Sequence, residues 1–132
     1  MGGQVLVEML AQRPSFCEYA IIESACVIPS KLTNTLIKPM FDMSFGLIKK
    51  KWFSKLQFKS LKIKSDLFAD YFENTCKISK QDMIAFMKAN TSYSCKEEIS
   101  RTTAKVTVVV GAREQSNMIS SARKLHQMIP GS

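Results

Sequence analysis

Several patterns that define particular protein classes are missing from this chain of 132 residues. No apolar run approaches the ~20 residues that a membrane-spanning helix needs. The first residues lack the basic segment and cleavage site of a secretory signal peptide, and Glu8 interrupts their apolar run. No pair of the four cysteines has Cys-x-x-Cys spacing. We therefore expect reduced thiols, no bound metal and a cytoplasmic location.

The composition is that of a folded protein. Hydrophobic residues make up 45% of the sequence and charged residues 23%, which excludes a disordered chain. The length corresponds to one domain. Internal repeats and low-complexity segments are absent.

The C-terminal part predicts a strand followed by a helix. Residues 104–111 form a β-branched run that ends in Gly111, and a helical pattern follows as far as Pro130. Such a run is typical of a strand buried in a parallel sheet. Glu114 lies three residues past the glycine, where ligands and catalytic groups collect in open α/β sheets.

The N-terminal part predicts the reverse order. Gly2 and Gly3 open a helix that ends near Pro14, and residues 18–25 have the pattern of a short buried strand. Two glycines at the start of a helix are costly unless something requires a close backbone approach.

The middle of the chain predicts helices. We expect one over residues 31–51, broken by Pro39 and Gly46, one capped by Ser65, and one opened by Ser79 with Asp82. Residues 97–101 add one more turn. Helices inserted between two parallel strands form the layout of a lid, so we assign 1–29 and 102–132 to a core and 30–101 to a helical lid.

These features together resemble the second half of a capped α/β-hydrolase. The order is Met-Gly-Gly, helix, strand, Glu-Ser-Ala, helical insertion, Val-Val-Val-Gly-x-x-Glu, helix and Ile-Pro-Gly-Ser. The family's nucleophile elbow is Gly-x-Ser-x-Gly, often Ser-Met-Gly-Gly, and this chain begins one residue after that serine position. The resemblance implies an α/β fold class: a partial hydrolase with two parallel strands, flanking helices and a mainly helical lid. The parent would be a serine hydrolase, without a cofactor, for an ester, thioester or similar small acyl substrate.

The resemblance also implies roles for individual residues. Met1, Gly2 and Gly3 take the elbow and oxyanion positions, where Met1 would supply the backbone N–H after the nucleophile. Glu114 is the first choice for the triad acid, which holds a histidine in the correct tautomer. Glu23, directly after the preceding strand, is the alternative acid. The family's histidine follows the next strand, so we expect the chain itself to be inactive.

Other chemically capable residues do not fit these roles. His126 is the only histidine, but about three helical turns separate it from Glu114. We therefore expect a solvated helix histidine. Ser120 and Ser121 lie along the same helix, and Ser24 follows a strand without an elbow sequence, so none is expected to be a nucleophile.

A basic stretch supports an alternative hypothesis, a non-catalytic helical module that binds nucleic acid or anionic surfaces. The net charge is +8, and aromatic residues are interleaved with lysines in one acid-free window. These lysines are Lys49, Lys50, Lys51, Lys55, Lys59, Lys62 and Lys64. This window has only one tryptophan, no arginine and no nucleic-acid motif, which argues against both nucleic acid and a membrane surface and favours a solvated lid face. Separately, two strands alone leave open sheet edges, so we expect self-association.

Overall fold

The computed structural model describes residues 1–61 and 64–132. Lys62, one of the clustered lysines, lies outside the described residues. Within these residues, two strands, β1 and β2, are accompanied by helices α1 to α6 and by two short 3₁₀ helices. In chain order the elements are α1 (Gly2–Gln12), β1 (Tyr19–Glu23), α2 (Lys31–Ile48), α3 (Lys51–Ser60), a 3₁₀ helix (Ser65–Leu67), α4 (Phe68–Lys77), α5 (Lys80–Ser92), a 3₁₀ helix (Glu97–Arg101), β2 (Lys105–Val109) and α6 (Ser116–Met128).

The chain divides into two compact units. Unit 1 combines Met1–Lys31 with Asn90–Ser132, and unit 2 is Leu32–Ala89. The sequence-based division placed residues 90–101 in the lid, whereas the structure places them in unit 1. The physical reason is the 3₁₀ helix Glu97–Arg101, whose Ile99 is fully buried in the core of unit 1.

The sheet of unit 1 is parallel, as expected. Tyr19 is paired with Lys105 and Glu23 with Val109. Lys105 N–H donates to the Glu18 carbonyl at 2.8 Å, and Ser24 N–H donates to the Val109 carbonyl at 2.9 Å. In a parallel pair, alternate residues of a strand bond to the neighbouring strand. Because Glu18 and Ser24 bond to β2, the backbone N–H and C=O groups of Tyr19, Ile21 and Glu23 point to the outer edge of β1. The mainly helical chain with this small sheet belongs to the mixed α/β class.

One face of the sheet carries the core of unit 1. Ala20, Ile22 and Val106 point into it and are joined by Leu10 of α1 and Leu125 of α6. The opposite face is open, and Tyr19 and Ile21 on it are both exposed. Parallel sheets are normally covered on both faces, so the open face is unusual for a complete parallel sheet.

Unit 2 consists of helices, and few of its large apolar side chains are buried. Helix α2 continues through Pro39 and Gly46, so the predicted break is wrong. Proline removes one backbone hydrogen bond, but the remaining turns hold the helix together.

The capping pair is confirmed: Ser79 Oγ accepts from Asp82 N–H at 3.1 Å and donates to Asp82 Oδ2 at 2.6 Å. Ser65 instead begins a 3₁₀ helix and makes no cap bond for α4.

Within residues 1–61 and 64–132, no helix combines the length and apolar character needed to cross a membrane.

Candidate functional site at the carboxyl edge of the sheet

The carboxyl ends of β1 and β2 bring together residues that are far apart in the sequence. Because the strands are parallel, the turn after β1 and the turn after β2 lie at the same sheet edge. Ser24 follows β1 directly, and Glu114 follows β2 after a short turn. The Ser24 hydroxyl donates to Glu114 Oε1 at 3.4 Å. The predicted acid therefore lies at the sheet edge beside the end of the neighbouring strand.

Glu114 is positioned by the turn that begins at Gly111. Its backbone N–H donates to the Gly111 carbonyl at 3.0 Å. Its side chain folds back over the glycine, since a β-carbon at Gly111 would lie 3.1 Å from Glu114 Cγ. A larger residue at position 111 would push the carboxylate away. The Glu114 side chain is exposed.

The contact of Ser24 with Glu114 was not predicted from the sequence, where Ser24 was considered only as a nucleophile. The Ser24 φ of +45° is in the left-handed region, which glycine adopts freely but L-residues other than asparagine and aspartate rarely adopt. Strained backbone of this kind is concentrated at functional sites. Glycine or asparagine would have been the usual sequence signal for this conformation, and serine gives none. Its position directly after a strand was the available clue.

Glu23, the alternative acid, lies on the same edge in a different setting. It is exposed at the end of β1. Across the described part of the chain, its carboxylate has no hydrogen bond or ion pair, whereas that of Glu114 accepts from Ser24. Of these two acids, Glu114 is therefore the one whose side chain has a hydrogen-bond partner.

The amino end of α1 packs against the end of β1. A β-carbon at Gly3 would lie 3.0 Å from both Ala25 Cβ and the Glu23 carbonyl oxygen, so no side chain fits there. A β-carbon at Gly2 would meet nothing within 4 Å. Met1 is partly exposed, and its carbonyl accepts from Gln4 N–H at 2.9 Å. Of the two glycines, only Gly3 is required by close packing.

Gln4 of α1 joins the two segments of unit 1 that lead into and out of unit 2. This side chain is buried, and its Nε2 donates to the Cys26 carbonyl at 2.6 Å and to the Asn90 carbonyl at 2.9 Å. Ser30 N–H also donates to the Thr91 carbonyl at 3.0 Å. The chain therefore leaves and re-enters unit 1 at neighbouring points, which makes unit 2 an insertion after β1.

A second polar cluster in unit 1 surrounds Glu8. Lys96 Nζ forms an ion pair with its carboxylate, Gln12 Nε2 donates to it at 2.8 Å, and the Tyr93 hydroxyl donates to it at 3.2 Å. The hydrogen bonds from Lys96 and Gln12 hold the pKa of Glu8 below its usual value. Burial, with the charge of Glu8, raises the pKa of Tyr93. These contacts tie α1 to the chain before β2, which is a structural role.

The remaining candidates lie elsewhere. His126 is exposed near the end of α6, with Nδ1 3.1 Å from Ser132 Oγ. Since α6 rises ~1.5 Å per residue, its His126 turn is about 15 Å along the axis from its first residue. Ser121 is buried and its Oγ accepts from Val27 N–H at 3.1 Å, while Ser120 is exposed on the same helix. Among the described residues, no hydrogen bond joins any of them to Glu114 or Ser24.

Cavities and metal-ligand clusters give little further guidance. An open depression of about 560 Å³ lies at the amino end of the sheet, and one of about 470 Å³ runs along β2 beside α6. Neither is lined by Glu114 or Ser24. In the ranges that the structure describes, no three His, Cys, Asp or Glu side chains form a possible metal site.

Comparisons with protein-family models, with curated protein sequences and with solved structures found no match to this chain.

Proposed function

We propose that this chain is the part of a capped α/β-hydrolase that follows the nucleophile serine, and that Glu114 serves as the triad acid. The observation that carries the proposal is the carboxyl edge of the sheet. There Glu114, Ser24 and the amino end of α1 converge from three separate segments of the chain.

The packing of α1 supports an elbow position for Met1 to Gly3. A helix that follows a nucleophile elbow starts at the carboxyl edge of the sheet and runs closely past the next strand. Gly3 allows this approach, because its α-carbon faces Ala25 and the Glu23 carbonyl with no room for a side chain. In this arrangement the backbone N–H of Met1 would donate to the oxyanion.

The open surfaces of the sheet support the same proposal. The outer backbone edge of β1 and the face with Tyr19 and Ile21 both lie uncovered, although parallel strands are normally buried. A hydrolase core would place further strands at these edges and helices over this face. Unit 2, inserted after β1, then takes the lid position.

Glu114 has a defined chemical role in this proposal. Its carboxylate would accept the Nδ1–H of the catalytic histidine, hold the ring in the tautomer that deprotonates serine, and stabilise the imidazolium. The Ser24 hydroxyl, which donates to Oε1 at 3.4 Å, would help to orient the carboxylate. The serine and the histidine would come from the rest of the parent enzyme, which we place in the cytoplasm and expect to act on a small acyl substrate.

Two assays test the proposal. The 132-residue chain itself should not hydrolyse p-nitrophenyl esters, and steady turnover would contradict the assignment. In the product of the complete coding region, Glu114→Gln should lower kcat by about 10⁴. Glu23→Gln is the matched control and should retain activity. Loss of activity in the Glu23 variant alone would move the acid to the end of β1.

A further inference from the structure

Helix α3 exposes an apolar strip beside a row of lysines. At about 100° per residue, Lys51, Lys55 and Lys59 share one arc of the helix, and Trp52 and Leu56 share the adjacent arc. Trp52 is 65% exposed and Leu56 is 62% exposed, while Ser54 and Phe58 on the opposite side are buried. The helix therefore shows its apolar strip and its lysines to solvent together.

Helix α2 exposes a longer apolar strip. Five large side chains recur at spacings of three and four residues on one side of the helix, and none of them is charged. They are Leu32, Leu36, Met40, Met43 and Leu47. Met43 is 89% exposed, although Ile37 and Ile48 on another side of the same helix are buried. Lone exposed apolar residues need no explanation, but an ordered strip of five indicates an interaction surface.

The charge of unit 2 restricts what can bind there. Residues 32–89 contain eleven lysines and five acidic residues, which gives +6 of the chain's +8. Asp42 is already engaged by Lys38 and Lys80, and Glu73 by Lys77. By contrast, no ion pair is found for Lys51, Lys55 or Lys59 among the described residues. A negatively charged partner is therefore favoured.

An anionic lipid surface satisfies both features. The acyl region accepts apolar side chains, and the phosphate and carboxylate headgroups attract the flanking lysines. A second copy of the chain would bring two strongly positive units together, which their repulsion opposes. Nucleic acid would use the lysines but would leave the uncharged strip of α2 in water. We infer that unit 2 binds peripherally to anionic membranes through α3 and the strip of α2, independently of the hydrolase assignment.

Trp52 is the only tryptophan in the chain, so its fluorescence reports directly on this surface. The unmodified protein should bind vesicles of phosphatidylcholine with about 25% phosphatidylserine, and the emission should shift to the blue as the indole enters the interface. Phosphatidylcholine vesicles should bind at least about tenfold more weakly. No blue shift with either vesicle would overturn the inference.

Two variants separate the contributions of charge and apolar surface. The triple change Lys51→Gln, Lys55→Gln and Lys59→Gln should weaken binding to the anionic vesicles at least about tenfold. Its charge-matched control removes three exposed arginines of unit 1: Arg101→Gln, Arg113→Gln and Arg123→Gln. Met43→Gln should weaken binding while the fold, followed by circular dichroism, stays unchanged. Equal losses in the lysine variant and its control would overturn the inference.

Competing partners are tested in the same format. If Trp52 fluorescence shows that a single-stranded oligonucleotide binds with higher affinity than the anionic vesicles, the ligand of this surface is nucleic acid and the lipid proposal is wrong. If light scattering shows a dimer that dissociates in the Met43→Gln variant, the strip of α2 binds a second copy of the chain. A protein that binds only anionic vesicles, and whose oligomeric state Met43→Gln does not change, would support the lipid surface.

Discussion

The two units use their apolar residues in opposite ways. Unit 1 gathers its apolar side chains into one cluster on a single face of the sheet, with Val7, Leu10 and Ile22 fully buried. Unit 2 buries Ile37, Ile48 and Phe58 but leaves its longest apolar strip in solvent. A unit folds around the residues it buries, and it interacts through the apolar residues that it exposes. Unit 1 therefore supplies most of the stability, and unit 2 carries the exposed apolar strip that we propose as a binding surface.

The largest expected effect is a core truncation in unit 1. Leu10→Ala should lower the free energy of unfolding by about 2–5 kcal/mol, because Leu10 is fully buried in the cluster. Leu32→Ala is the matched control in unit 2 and should change it by less than about 0.5 kcal/mol. Urea unfolding measures both. Equal effects would contradict the contrast between the units.

The next effect concerns the junction. Gln4→Leu should lower the free energy of unfolding by about 1–3 kcal/mol, since the carbonyls of Cys26 and Asn90 both lose their donor. Gln12→Leu, which removes an exposed bond to Glu8, is the control and should have a smaller effect. Hydrogen exchange of residues around Asn90 should increase only in the Gln4 variant. If hydrogen exchange around Asn90 is unchanged in the Gln4 variant, the Gln4 hydrogen bonds do not stabilise this part of the structure.

A smaller effect is expected inside unit 2. Ser79→Ala should destabilise α5 by about 1 kcal/mol, because the cap bond to Asp82 N–H is lost. Ser60→Ala is the control, because it removes an exposed hydrogen bond to the Gln57 carbonyl at the carboxyl end of α3, where no N-cap is involved. Amide exchange in the first turn of α5 is the measurement. A change spread over unit 1 as well would show that the two units unfold together.

Ser24 offers a test of backbone strain at the candidate site. Ser24→Gly should be more stable than Ser24→Ala by about 1 kcal/mol, because glycine adopts the positive φ without a steric cost. Both variants lose the hydroxyl bond to Glu114, so the comparison isolates the backbone. Thermal unfolding of the pair gives the difference, and equal stability would argue against strain.

The pH dependence of unit 2 should show the smallest effect. The hydrogen bond from Lys38, followed by that from Lys80, lowers the pKa of Asp42 from 3.8 to about 2. A depressed pKa in the folded state means that the stabilisation is present above pH 3.8 and is lost as the pH falls toward 2. In acid titration, wild type and Asp42→Asn should therefore differ above this window and converge below it. If the difference in stability between wild type and Asp42→Asn stays constant across this pH window, the ion pairs of Asp42 do not cause that difference.

The sequence predicted unit 1 better than unit 2. The β-branched run before Gly111 and the short apolar run before Ser24 are strong local patterns, and they form the parallel pair. The position of Gln4 between two distant carbonyls depends on tertiary packing and has no sequence signal. In unit 2, the spacing predicted helices, but it could not tell which apolar side of α2 is buried. The continuation through Pro39 shows that helix contacts outweighed one missing hydrogen bond.

The candidate site was only partly predictable. The position of Glu114 followed from its distance past Gly111, because strand ends in a parallel sheet share an edge. The hydrogen bond from Ser24, which distinguishes Glu114 from Glu23, depends on the three-dimensional arrangement. The close contact of Gly3 with Ala25 also emerged only from the packing of α1.

The most direct test of the hydrolase proposal is to read the coding DNA on both sides of the segment. The account predicts in-frame codons for Gly-x-Ser immediately before Met1, and a strand followed by a histidine after Ser132. A start codon at Met1 and a stop codon after Ser132, with no such sequences nearby, would contradict it and leave the lysine-rich surface of unit 2 as the functional part of the protein.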